Sequence, residues 1–274
     1  MEILEYTFFQ NAIIGALLAS IVCGFVGTYI VTRRMAFISG GITHASFGGI
    51  GIGVYMGVNP IVSAMIFAVF SAIGIQWMSG RSDMREDSAI ATFWTLGMSV
   101  GILFCFMSPG FIPDLPSFLF GSILTIDSAN LWLLGTLCVV CGVIFATMLD
   151  TIKTVAFDPE FARSQRLPVT AIEYAMMALI AMTIVSTLRM VGIVLAMSLL
   201  TIPQMTANLL TYDYRKMIAL SIVTGCADCI LGLTLSYWLN VPSGATIIFV
   251  SIIIYGVVKT IKTLIREFYK SEIA

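Results

Sequence analysis

Along this chain, apolar runs about as long as a bilayer is thick alternate with short clusters of charged or turn-forming residues. The runs fall at 8–31, 36–57, 61–78, 89–108, 128–149, 170–188, 190–211, 217–239 and 243–264. None alternates strictly between polar and apolar positions, so the pattern predicts helices rather than barrel strands. Helices also satisfy their own backbone hydrogen bonds, as hydrocarbon demands. Between the runs lie Arg33-Arg34, the turn 57–60, the charged piece 81–87, a proline-rich piece 109–116 and a long polar piece 150–168. At roughly 20 apolar residues per crossing, the expectation is an all-α polytopic membrane protein of about nine transmembrane helices. Residues 1–274 read as one transmembrane domain.

Composition agrees with that reading. Hydrophobic residues make up 59% of the chain and charged residues 11%, with mean hydropathy +1.00. A soluble domain carries about 25% charged residues. A formal net charge of −1 gives no basic surface for nucleic acid. The first cation is Arg33, so the basic start of a secretory leader is expected to be missing. Cys23, Cys105, Cys138, Cys141, Cys226 and Cys229 all lie in apolar runs and are expected to be small buried hydrophobes.

The charges also predict orientation. With nine crossings and the C-terminus inside, the inner loops collect Arg33/Arg34, Arg81/Arg85, Lys153/Arg163/Arg166, Arg215/Lys216 and Lys259/Lys262/Arg266/Lys270. The outer side keeps Arg189, Asp114, Asp127, Glu2 and Glu5. By the positive-inside rule the N-terminus is outside and the C-terminus inside.

Three features within the runs carry chemistry. His44, the single histidine, sits in a glycine-rich run with Ser39 and Thr43 close by. A metal-competent side chain at that depth is costly, and the glycines let backbones or a small solute come close. It reads either as a path residue or as a neutral histidine bonded to a neighbouring helix. Asp228, between Cys226 and Cys229, falls at a similar depth; it reads as an oxygen ligand or as a protonated carboxyl bonded to backbone. Together the two suit a transient divalent transition metal. Pro203, flanked by Ser198, Thr201, Gln204 and Asn208, predicts a kink inside the run 190–211, with the polar neighbours serving freed carbonyls or a wet cavity.

One soluble piece has its own signal. Asp158-Pro159-Glu160 reads as N-cap, first helical residue and first-turn acid, opening a helix over 159–166 that stops before Pro168. Phe157 and Phe161 would give it an apolar knob for a cytosolic partner, or a face lying on lipid. The chain has no Gly-Lys dipeptide, hence no Walker A loop, and no HExxH motif.

Taken together, several segments resemble the permease subunits of metal-type ABC importers. They are Arg33-Arg-Met-Ala-Phe with Thr43-His44-Ala-Ser46; Phe120–Leu124; Phe157–Ala162 with Leu167-Pro168; Val191–Leu195 with Pro203 and Thr206-Ala207; and Gly232–Tyr237 with Pro242–Ala245. They occur in the family's order over nearly the whole chain. The resemblance implies a subunit that is not itself an enzyme, in the cytoplasmic (inner) membrane of a prokaryote. It would form a homodimer, dock a cytosolic ATP-binding subunit and receive metal from an extracytoplasmic metal-binding protein through outer loops 109–127 and 239–243. No tightly held cofactor is expected; Zn2+ or Mn2+, with iron a further option, would be the transported substrate. The path residues expected are His44, Ser39, Thr43, Asp228, Thr201, Pro203 and Gln204, with His44 and Asp228 touching metal. Segment 157–168, through Phe157, Asp158, Pro159, Phe161 and Arg163, would couple to the ATPase. The resemblance also implies an acidic residue four positions before the histidine, where this chain has Gly40. The rival readings are a permease for iron chelates or corrinoids, a membrane-embedded enzyme, and a passive channel.

Overall fold

A computed structural model describes residues 7–81, 84–108 and 128–273. Within them the chain forms α1 (Thr7–Thr32), α2 (Ala36–Met56), α3 (Pro60–Arg81), α4 (Glu86–Met107), α5 (Ser128–Phe157), α6 (Pro159–Ser164), α7 (Val169–Leu199), α8 (Ile202–Leu210), α9 (Tyr214–Leu239) and α10 (Ser243–Ile273). No strand occurs among the described residues. Nine segments among them are long and apolar enough to cross a membrane. The all-α, polytopic expectation therefore holds. The proline-rich stretch 109–116, loop 109–127 with Asp114 and Asp127, Phe120–Leu124, Glu2 and Glu5 lie outside the described residues, as do the side chains of Arg189 and Lys270.

Two boundaries differ from the expectation. The fifth crossing continues past residue 149 as one helix to Phe157, bent at Met148 (φ −119°, ψ 15°). Asp150 and Lys153 lie exposed while Ile152, Val155 and Ala156 are buried. Charges on a solvated face do not stop a helix whose other face is apolar. The run 190–211 is not one kinked helix. Its backbone opens at Gly192 (φ 76°, ψ 170°), turns at Leu200–Thr201 and restarts as α8.

The least apolar crossing is the most enclosed. α2 has mean hydropathy 1.2, and 78% of its crossing is buried. Its glycines explain both facts. A Cβ on Gly51 would stand 2.8 Å from Gly101 Cα, and one on Gly48 would stand 2.9 Å from the Gly97 carbonyl. On the neighbouring face, a Cβ on Gly49 would lie 2.6 Å from Ala64 Cα. The backbones of α2, α3 and α4 thus meet directly, and in lipid such close contact supplies the attraction that water would otherwise drive. α2 ends where Gly57 turns left-handed (φ 67°), its N–H donating to Val54, with Val58 N–H reaching Gly53. Pro60 then opens α3.

The basic clusters assemble at one end. Arg33, just after α1, pairs with Glu173 of α7 at 3.0 Å. Arg215 of α9 approaches Asp150 of α5 at 3.6 Å. Lys262 of α10 donates to the Leu209 carbonyl and lies 5.5 Å from the Tyr212 ring. The loops grouped by charge therefore share the end that carries α6.

Filling the closest backbone contact should unseat α2. Gly51→Val is expected to cost about 2–3 kcal/mol, lowering the melting midpoint in detergent by roughly 5–10 °C. Gly135→Ala, where a Cβ meets nothing within 4 Å, should leave it unchanged or slightly higher. Equal midpoints for both variants would refute the contact.

Candidate translocation site and coupling helix

Within α2 the buried positions are filled by glycine, alanine, hydroxyl and aliphatic residues and by Phe47, and His44 is the one ring left half-open there. Its imidazole stacks on the indole of Trp94 from α4, centroids 4.4 Å apart and planes within 6°. One turn earlier on the same face is Gly40. A Cβ there would meet Met197 Cε at 2.9 Å and Trp94 Cζ3 at 3.7 Å. His44, Trp94 and Met197, all half-buried, thus converge over the face that Gly40 leaves bare. Stacking covers the ring's face and leaves its nitrogen edge free. Among the described residues neither ring nitrogen has a hydrogen-bond partner. Ser39 and Thr43 are buried, their hydroxyls donating back to the Ala36 carbonyl at 2.8 Å and the Ser39 carbonyl at 2.5 Å.

Asp228 sits elsewhere. It is 1% exposed on α9, and Oδ1 has no hydrogen-bond partner among the described residues. Ser251 of α10 is its polar neighbour. α9 packs on α1, α8 and α10, whereas α2 packs on α3, α4 and α7. The two helices share no substantial packing face, so the structure does not bring Asp228 and His44 into one cluster. No group of three or more His, Cys, Asp or Glu is placed to hold a metal among the described residues. All six cysteines are free thiols, and Cys229 Sγ lies 3.5 Å from Ser20 Oγ.

The break between α7 and α8 corrects the reading of Pro203 as a kink in a helix interior. Pro203 stands in the first turn of α8, where no intrahelical N–H is needed. Gln204 answers the break. Fully buried, its Nε2 donates to the Leu199 carbonyl at 2.9 Å and across to the Cys23 carbonyl of α1 at 2.8 Å. Thr201 Oγ1 donates to the Met197 carbonyl at 2.8 Å. Gln204 is therefore a strut between α1 and α8, and Thr201 caps the turn that positions Met197.

The helix expected after Asp158 forms as its local signal predicts. Asp158 Oδ1 accepts the Phe161 N–H at 2.9 Å, and Pro159 opens α6. The helix stops at Ser164, two residues short of the expected end, because Arg166 turns left-handed (φ 58°) and Leu167 N–H closes onto the Ala162 carbonyl at 3.1 Å. Arg163 pairs with Glu160 at 2.7 Å. Phe161 projects outward, 53% exposed, while Phe157 makes an edge contact with Tyr214 at 6.1 Å. Beside α6 opens a cleft of ≈ 640 Å³ lined by Arg33, Arg34, Glu86, Phe157, Pro159 and Tyr212 among others.

Sequence reasoning missed Trp94, Met197 and the Arg33–Glu173 pair. Glu173 left a signal, a lone carboxylate one turn inside an apolar run, and Arg33 was read only as a loop charge; Trp94 and Met197 reach the face of Gly40 and His44 on α2 through tertiary packing alone.

A model of the ABC 3 transport family matches residues 5–262. A membrane protein of Synechocystis, slr2045, is 38% identical over 93% of this chain and 91% of its own length. The manganese transport system membrane protein MntC of Listeria monocytogenes is 32% identical over 92% of this chain and 90% of its own. Among solved structures, PsaBC from Streptococcus pneumoniae in complex with Fab superposes with TM-score 0.83 at 26% identity, covering 94% of this chain and 92% of that one.

Replacing Gln204 by Leu removes both donors and strands the Leu199 carbonyl. The expected cost is about 2–4 kcal/mol, read as a lower melting midpoint in detergent. An unchanged midpoint would mean the break is held by something else.

Proposed function

The chain belongs to the ABC 3 transport family, and on that footing we propose that it is the membrane-spanning permease of an ATP-driven importer for a divalent transition metal ion. The observation that carries this reading is the imidazole of His44, half-open and stacked on Trp94 in the most enclosed of the described crossings. A neutral imidazole nitrogen is a borderline ligand that suits zinc or iron, and manganese when oxygen donors or water complete the shell, with the metal as substrate rather than resident cofactor. Manganese, named for the Listeria relative, is the first ion to test, followed by zinc.

The rest of the machine is inferred from what this chain lacks and exposes. It has no phosphate-binding loop, so ATP hydrolysis belongs to a separate cytosolic subunit, received on α6 through Phe161. The basic end faces the cytoplasm, which puts the N-terminus outside and the C-terminus inside. A second copy of the permease would complete the path, and an extracytoplasmic metal-binding protein would deliver the ion to the opposite end.

Two substitutions test the reading. His44→Ala should lower ATP-dependent uptake of radiolabelled manganese or zinc into proteoliposomes at least about tenfold, while the permease still assembles with its ATPase; full uptake sinks the assignment. Phe161→Asp places a charge on the docking knob and should abolish ATPase binding in a pull-down together with uptake. Retention of both would show that α6 merely lies on lipid.

A further inference from the structure

The strongest unassigned feature is a buried charged cluster at the α6 end. Arg33 Nη2 meets Glu173 Oε1 at 3.0 Å, and Glu173 Oε2 accepts from Gln76 Nε2 of α3 at 3.1 Å. Arg33 Nη1 also points at the Val155 carbonyl of α5, at 3.5 Å, the long limit of a hydrogen bond. The Glu173 side chain is 9% exposed and that of Arg33 18%.

The position of these partners along the chain gives the cluster its meaning. Val155 lies just before α6 and Glu173 just after it, so Arg33 grips both flanks of the coupling helix. Arg33 also stands at the elbow into α2. That elbow is short and stiff: Arg34 is left-handed (φ 59°), its N–H donates to Val31 at 3.1 Å, and Met35 N–H donates to Ile30 at 2.9 Å. α2 begins at Ala36 and reaches His44 roughly two turns later. A push on α6 that shifts either flank therefore bears on the root of the helix carrying the imidazole.

We infer that Arg33, Glu173 and Gln76 form a clasp that transmits displacement of α6 to α2, making Arg33 and Glu173 positioning residues for transport. Stability alone is a poor reason for the cluster. A buried ion pair is often neutral or worse than an apolar replacement of the same shape, while a fixed register or switch is the better-attested use of one. A guanidinium displaced from its carboxylate oxygen must find another partner or water, so movement of either flank is felt at Arg33. The inference rests on α6 being the ATPase-coupling helix.

The test uses the permease reconstituted with its ATPase and metal-binding partners in proteoliposomes, reading manganese or zinc ions moved per ATP hydrolysed. That ratio is insensitive to how much protein folds. Glu173→Gln keeps the shape and the Gln76 contact but discharges the pair. It should assemble and hydrolyse ATP within about twofold of wild type while moving at least about fivefold fewer ions per ATP. The swap Arg33→Glu with Glu173→Arg should recover part of the ratio. The clasp is overturned if Glu173→Gln keeps the wild-type ratio, if hydrolysis and transport fall in proportion, or if the variant does not assemble. A wild-type complex that moves neither ion sinks the import reading itself, and the clasp with it; a wild type that transports while the variant couples normally sinks the clasp alone.

Discussion

Direct backbone contact between α2 and its neighbours sets where everything else in the molecule stands. In hydrocarbon, helices gain little from excluding solvent, so their association rests on how closely atoms approach. Gly48 and Gly51 on α2, meeting Gly97 and Gly101 on α4, allow an approach that any side chain would block. Once this face is committed, the rotation of α2 is fixed. Each residue advances about 100° around a helix, so a one-residue change of rotation would bury the imidazole and turn Ser39 or Thr43 outward. The half-open state of His44 and its stack on Trp94 both descend from this contact.

The second organising pressure is that a polar atom in an apolar medium needs a partner. The fold answers it mostly locally. Thr28, Thr43, Ser46 and Ser221 return their hydroxyls to carbonyls of their own helices. Where the backbone breaks, Gln204 supplies the donors instead. At the charged end Arg33, Glu173 and Gln76 satisfy one another across three elements. Some buried polar atoms have no hydrogen-bond partner among the described residues, Gln204 Oε1 and several hydroxyls among them; Asp228 Oδ1 is the one carboxylate oxygen in that group, and it lies away from the histidine.

These two pressures explain which features were legible in the chain. Crossings could be read because apolar transfer is nearly additive along a run. The start of α6 could be read because an N-cap, a proline and an acidic first turn act within a few residues of one another. The continuation of α5 to Phe157 was obscured because exposed Asp150 and Lys153 look like loop in one dimension. The break at Leu200–Thr201 was masked by Pro203, a stronger breaker in the sequence that the fold placed in a first helical turn.

By itself the sequence determined an all-helical membrane protein, the grouping of its basic loops at one end, the capped start of the short helix after Asp158 and the single imidazole within a glycine-rich crossing. Composition, charge and local hydrogen bonding act over a few residues, and each of these features depends on nothing further away. Only the tertiary structure decided that His44 stacks on Trp94 with Met197 over Gly40 one turn away, that Asp228 stands on a helix apart from α2, that Gln204 braces a break, and that Arg33 ties both flanks of α6 to the root of α2. Those pairings join residues far apart in the chain, and they exist because glycine-lined helices can touch and because buried charges must find one another.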